Sequence, residues 1–148
     1  MGRGGRHRRT TRKVAIIVAE HPHAQLVRKG YEALSRGDMD TLRSLMTSDA
    51  THHVPGSHQL SGDFKGIDAV LGYYGKLYEA TGGTFKVELR TLLVDGRGHV
   101  VSLHRFTARR GDKQIDATGG IVFRIVGDKI SDLDECVEDM DVGNAFWS

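Results

Sequence analysis

The sequence predicts an α+β domain in which three amino-terminal helices cover the concave face of a strongly curved antiparallel sheet. Apolar residues recur at spacings of three and four as far as Gly82-Gly83, and at a spacing of two beyond it. Turn pairs at Asp95-Gly96, Gly111-Asp112 and Gly127-Asp128 then cut the second half into strands of about ten residues. Loops this short join antiparallel neighbours and leave no room for a parallel crossover.

The first helix starts at Pro22, a good first-turn residue, and carries Ala24, Val27, Tyr31 and Leu34 on one face. Gly37 ends it and Asp38 caps a second, short helix whose apolar side is Leu42, Leu45 and Met46. Thr51 to Val54 is β-prone, and Pro55-Gly56 stops it, so a short edge strand runs into a Gly/Ser-rich loop. A third helix follows Gly66, with Ile67, Val70, Leu71, Tyr74, Leu77 and Tyr78 in register, and Gly82-Gly83 closes it. Phe85, Val87 and Leu89 then alternate with Lys86, Glu88 and Arg90, opening four long strands. Strands of this length twist into a curved sheet, and the helices are the only elements available to cover its hollow side.

A chain of 148 residues with 39% apolar and 27% charged residues is one domain able to bury a core. The net charge of +2 is misleading, because six of the 21 basic residues lie among the first 13. Without them 15 basic residues face 19 acidic ones, a net −4, so nucleic acid is not an expected partner of the folded domain. Residues 1–20 are expected to be a disordered basic tail and 21–148 the domain. The run Val14 to Ala19 is too short for a membrane span, and Glu20-His-Pro stands where a signal peptide would be cleaved. The lone Cys136 can form no internal disulfide, which makes a reducing cytoplasm the default location.

Four local phrases carry a family resemblance: Tyr31-Glu-Ala-Leu-Ser-Arg-Gly-Asp38, Ser48-Asp-Ala-Thr-His-His-Val-Pro-Gly56, Gly119 to Ile130, and the ending Ala145-Phe-Trp-Ser148. With the element order they resemble the SnoaL-like branch of the nuclear transport factor 2-like superfamily, over residues 22–148. The resemblance implies a cone-shaped fold, a ligand cavity inside the cone and a homodimer through the outer sheet face, where Val100 is expected to add apolar surface. It does not fix a reaction, since isomerases, cyclases, hydrolases and non-catalytic binders share the scaffold. The isomerase general base would fall on Val54, its aspartate near Ile121 and its tyrosine beside Tyr31. The epoxide-hydrolase set would fall on Arg105, Thr107 and Glu135. The cyclase histidine corresponds to His53.

His52 and His53 are adjacent in a strand and must point to opposite faces, so at most one lines the cavity. A metal site of His52, His53 and His58 matches no zinc spacing, and no metal or cofactor is expected. Glu135 lies between Leu133 and Val137 on one strand face, where a carboxylate needs a partner, and Arg105 is the natural one. If the register is off by one, Asp134 takes its place. The expected catalytic set is therefore Glu135, His53 and Arg105. Tyr31, Thr51, Val54, Tyr74, Leu103, Thr107, Ile121, Leu133 and Trp147 are the expected walls for an apolar, ring-bearing ligand. Acid/base catalysis on that ligand, by isomerisation, cyclisation or epoxide opening, competes with a binding module that has no reaction.

Overall fold

The computed structural model describes residues 19–148. The expectation for the basic tail lies almost wholly outside them. Helix α1 (Pro22–Arg36) opens on His21, whose ring accepts from the His23 amide, and ends on Gly37 at φ 66°. Helix α2 (Met39–Leu45) is capped by the Asp38 carboxylate, which accepts from the Thr41 amide at 3.0 Å. Strand β1 (Met46–Val54) leads through the Pro55 loop to β2 (Gly62–Lys65) and then to α3 (Ile67–Ala80). Strands β3 (Lys86–Val94), β4 (His99–Arg110), β5 (Lys113–Val126) and β6 (Lys129–Val137) follow as hairpins, and α4 (Met140–Trp147) ends the chain.

The six strands form one sheet in the order β2-β1-β6-β5-β4-β3. All neighbours are antiparallel except β1 and β6, which run parallel with His52 opposite Leu133. That pairing corrects the expected edge position of β1. Strand β1 is interior, because β2 covers its outer edge, and β2 is too short and too polar to show a period of two. The closing Ala145-Phe-Trp segment is part of a helix, with Phe146 and Trp147 buried.

The core lies between α1, α2, α3 and the concave face, and includes Val27, Leu42, Val70, Val100, Phe123 and Ile130. Every second residue of β4 from Val100 to Ala108 faces this core. Val100 is thus fully buried, which corrects its expected place on the outer surface. Among the described residues no helix is long and apolar enough to cross a membrane.

Candidate functional site

The concave face and the helices enclose a cavity with an empty volume of about 1130 Å³, including its open mouth. Its walls are mostly apolar, and its polar groups are Tyr31, His52, His58, Tyr73, Tyr74, His104, Thr118 and Glu135, with Glu138 and Asp139 towards the mouth. The loop after β1, the end of β6 and α4 form the mouth, where Val137, Met140 and Val142 are well exposed.

Glu135 reaches the cavity because β6 alternates, with Leu133 buried on the same face and Asp134 turned out to solvent. The fallback to Asp134 is therefore not needed. The Glu135 carboxylate lies 3.5 Å from His52 Nε2, and the two side chains are 20% and 2% exposed. This is ion-pair distance without hydrogen-bond geometry, so Nε2 is a buried nitrogen with no hydrogen-bond partner among the described residues. His52 Nδ1 is 2.9 Å from the Tyr74 hydroxyl, and its ring packs edge-on against Tyr73 and Tyr74.

A second polar chain crosses the opposite wall. The Tyr31 hydroxyl lies 2.6 Å from Ser102 Oγ and 2.7 Å from His104 Nδ1, and the Ile121 amide donates to Ser102 Oγ at 3.0 Å. Burial pushes the Tyr31, Tyr73 and Tyr74 hydroxyls above the usual phenol range, and the Glu135 charge adds to it. Burial also lowers His104 and His58, against the Glu135 charge that favours their protonated forms. Burial thus favours the neutral form of both rings, and among the described residues Glu135 is the carboxyl group that lines the cavity away from its mouth.

Several expected site residues lie elsewhere. His53 points away from the cavity and pairs with Asp63 Oδ1 of β2 at 2.5 Å. His52 takes the inward place. Val54 is buried and two residues on, so the period of two already ties it to His52. Arg105 lies on the outer face in a bidentate pair with Asp116, at 2.8 and 2.6 Å. Leu103 and Thr107 share that outer face, and Thr51 lies on the His53 side of β1. The register of β4 expected from Leu103 is therefore one residue off, and the arginine-carboxylate set needed for epoxide opening is not assembled. The physical reason is desolvation: an inward Arg105 would lose water, whereas the outward pair keeps both charges solvated. Ser102 and His104, which face inward instead, are satisfied by Tyr31. Tyr31, Val54, Tyr74, Ile121, Leu133, Glu135 and Trp147 do line the cavity. Among the described residues no group of three His, Cys, Asp or Glu side chains is placed to hold a metal ion.

A mixed sheet curled around an apolar cavity and closed by helices defines the nuclear transport factor 2-like, or cystatin-like, class. Within that class the chain belongs to the SnoaL-like domain family, which matches residues 27–133. It is 33% identical to an uncharacterised protein of Mycobacterium tuberculosis, Rv0034, over 83% of this chain and 94% of that one. Among solved structures it is similar to Bal32a from a soil-derived mobile gene cassette, at 38% identity over 86% and 97% of the two chains with a TM-score of 0.84. A Xanthomonas campestris protein of unknown function with a cystatin-like fold matches at 27% identity over 85% and 98%, with a TM-score of 0.79.

Proposed function

We propose that this chain is an acid/base enzyme acting on an apolar, ring-bearing small molecule inside the cone. The observation that supports it best is the Glu135 carboxylate beside the unpartnered His52 Nε2, 3.5 Å apart in a mostly apolar cavity. Glu135 is the proton acceptor in this reading. Tyr74 fixes the His52 ring, and His52 in turn steadies the charge of Glu135. A base held in an apolar cavity at hydrogen-bond reach of a carbon acid is typically worth ~10²–10⁴-fold in rate. Isomerisation or ring closure next to a carbonyl fits this set, because both need only proton removal and return.

The competing reading is a binding module without turnover. It draws on Val54 and Ile121, apolar wall residues at the positions where the resemblance would put the isomerase carboxylates. Steady-state turnover on a panel of cyclic ketones separates the two. The enzyme reading predicts activity in the unmodified protein and in His53→Ala, and its loss in a folded Glu135→Gln. No turnover of any ketone leaves the binding module as the better account.

A homodimer through the outer sheet face belongs to the same proposal. Leu93, Val101 and Leu103 are exposed there at 56%, 37% and 46%, an apolar patch that a second copy would cover.

A further inference from the structure

Among the described residues three glycines line the cavity: Gly30 of α1, Gly119 of β5 and Gly143 of α4. Packing accounts for Gly119, where a Cβ would stand 2.9 Å from the Cys136 carbonyl and 3.0 Å from the His104 ring. It does not account for the other two. Gly30 shares the cavity-facing stripe of α1 with Val27, Tyr31 and Leu34. Beyond its own helix, a Cβ there would meet only Ile130 Cδ1 within 4 Å, at an ordinary 3.9 Å. Gly143 lies between Met140 and Trp147 on the stripe of α4 that walls the mouth, and a Cβ there would meet nothing within 4 Å. Neither glycine has a positive φ. Both sit inside helices, where glycine is the poorest residue after proline. Backbone geometry and packing would both accept alanine, so what the missing side chains leave behind is open cavity.

The two glycines lie at opposite ends of the cavity. Its wall follows β6 through Ile130, Leu133, Glu135 and Val137. Gly30 faces Ile130 at the start of that strand, and Gly143 belongs to the mouth beyond its end. At ~3.3 Å per strand residue, Ile130 and Val137 are roughly 23 Å apart, with Glu135 nearer the mouth. Val27, Leu42, Met46 and Ile130 wall the inner end, a set with no polar side chain to hold water. We propose that Gly30 and Gly143 set specificity by length: Gly143 keeps the entrance open, and Gly30 keeps room at the inner end for an apolar extension of the ligand that runs past Glu135. A ligand no longer than one reacting ring would leave the inner end empty and forgo that burial. Both roles rest on the cavity being the ligand site, as in the proposed function, but need no turnover.

The test uses three uncharged dyes that differ only in chain length, the 6-propanoyl, 6-hexanoyl and 6-nonanoyl derivatives of 2-(dimethylamino)naphthalene. Fluorescence titration gives their affinities and stopped-flow mixing their association rates. Affinity for the unmodified protein should rise with chain length, by up to about fourfold per buried methylene. Gly30→Val should weaken the nonanoyl dye by about tenfold, close to the loss of two methylenes, and leave the propanoyl dye within about twofold. Gly143→Leu should slow the association of all three by at least about tenfold. Because alanine fits at both positions and favours a helix, Gly30→Ala and Gly143→Ala should each raise the melting temperature by about 3 °C. A lower melting temperature in either would make that glycine a packing residue and overturn the proposal. So would affinities that ignore chain length, an equal loss of short and long dyes in Gly30→Val, or unchanged association in Gly143→Leu. In each of those cases the cavity still binds a ligand, and the proposed function stands. No binding of any dye overturns both. Length dependence without turnover of any ketone overturns the enzymatic reading alone.

Discussion

Glycine at position 119 is set by its neighbours. A Cβ there would stand 2.9 Å from the Cys136 carbonyl and 3.0 Å from His104 Nε2, so only a bare Cα lets the imidazole lie over the strand. Gly119→Ala should lower stability by roughly 1–3 kcal/mol, the usual cost of forcing atoms into a packed site. Chemical denaturation would read the loss, and an unchanged midpoint would show that the ring moves freely. His104 makes a second prediction. Burial lowers its folded pKa below the ordinary 6.5, so the unfolded chain takes up the proton first and its contribution to stability is lost as pH falls below that value. Thermal melts from pH 7.5 to 5 should fall more steeply for the unmodified protein than for His104→Gln. Parallel curves would contradict the buried, neutral ring. At this scale the sequence marks Glu135 clearly, because Leu133 and Val137 fix the phase of β6. It marks the histidines poorly: in Thr-His-His-Val the only apolar phase marker is Val54, and its parity favours His52 over His53. Strand β4 is worse, because Val101 and Leu103 make its outer face look as apolar as the inner one.

Among the elements, the helices and hairpins follow directly from spacing, caps and turn glycines, since each signal is local. Strand β2 and helix α4 do not, because both are short and depend on what they touch. The loop after β1 is held against α4 by Asn144, whose side-chain oxygen accepts from the Ser57 amide at 2.8 Å, and by Gln59, which donates to the Trp147 carbonyl at 2.8 Å. Arg110 and Lys113 hold the last carbonyls of α4 from the sheet side. The helix itself starts on Asp139, whose carboxylate accepts from the amides of Asp141 and Val142. Asp139→Ala should cost about 1 kcal/mol, as loss of such a cap typically does. Hydrogen exchange should then rise first in Met140 to Trp147, the segment that walls the mouth. Faster exchange spread evenly over the sheet would mean that α4 is not a separate unit.

For the whole molecule, the outer face of the sheet poses the remaining structural question. Leu93, Val101 and Leu103 form an apolar patch there, beside the solvated Arg105–Asp116 and Arg90–Glu88 pairs. The homodimer proposal predicts twice the chain mass by light scattering at micromolar concentration, and dissociation in Leu103→Glu, where a charge would be buried at the contact. A monomer mass for the unmodified protein would contradict it. The cavity is independent of that interface, since its walls come from the inner face and the helices of one chain. The proposed activity belongs to that cavity, where Glu135, beside His52, would move protons of a ring-bearing ligand. Exchange of the α-protons of 2-tetralone into heavy water, followed by NMR, tests it without knowledge of the natural substrate. The protein should accelerate exchange above buffer, and a folded Glu135→Gln that still binds the ketone should lose that acceleration by ~10²–10⁴-fold. Exchange no faster than buffer, or equally fast in Glu135→Gln, would contradict the account.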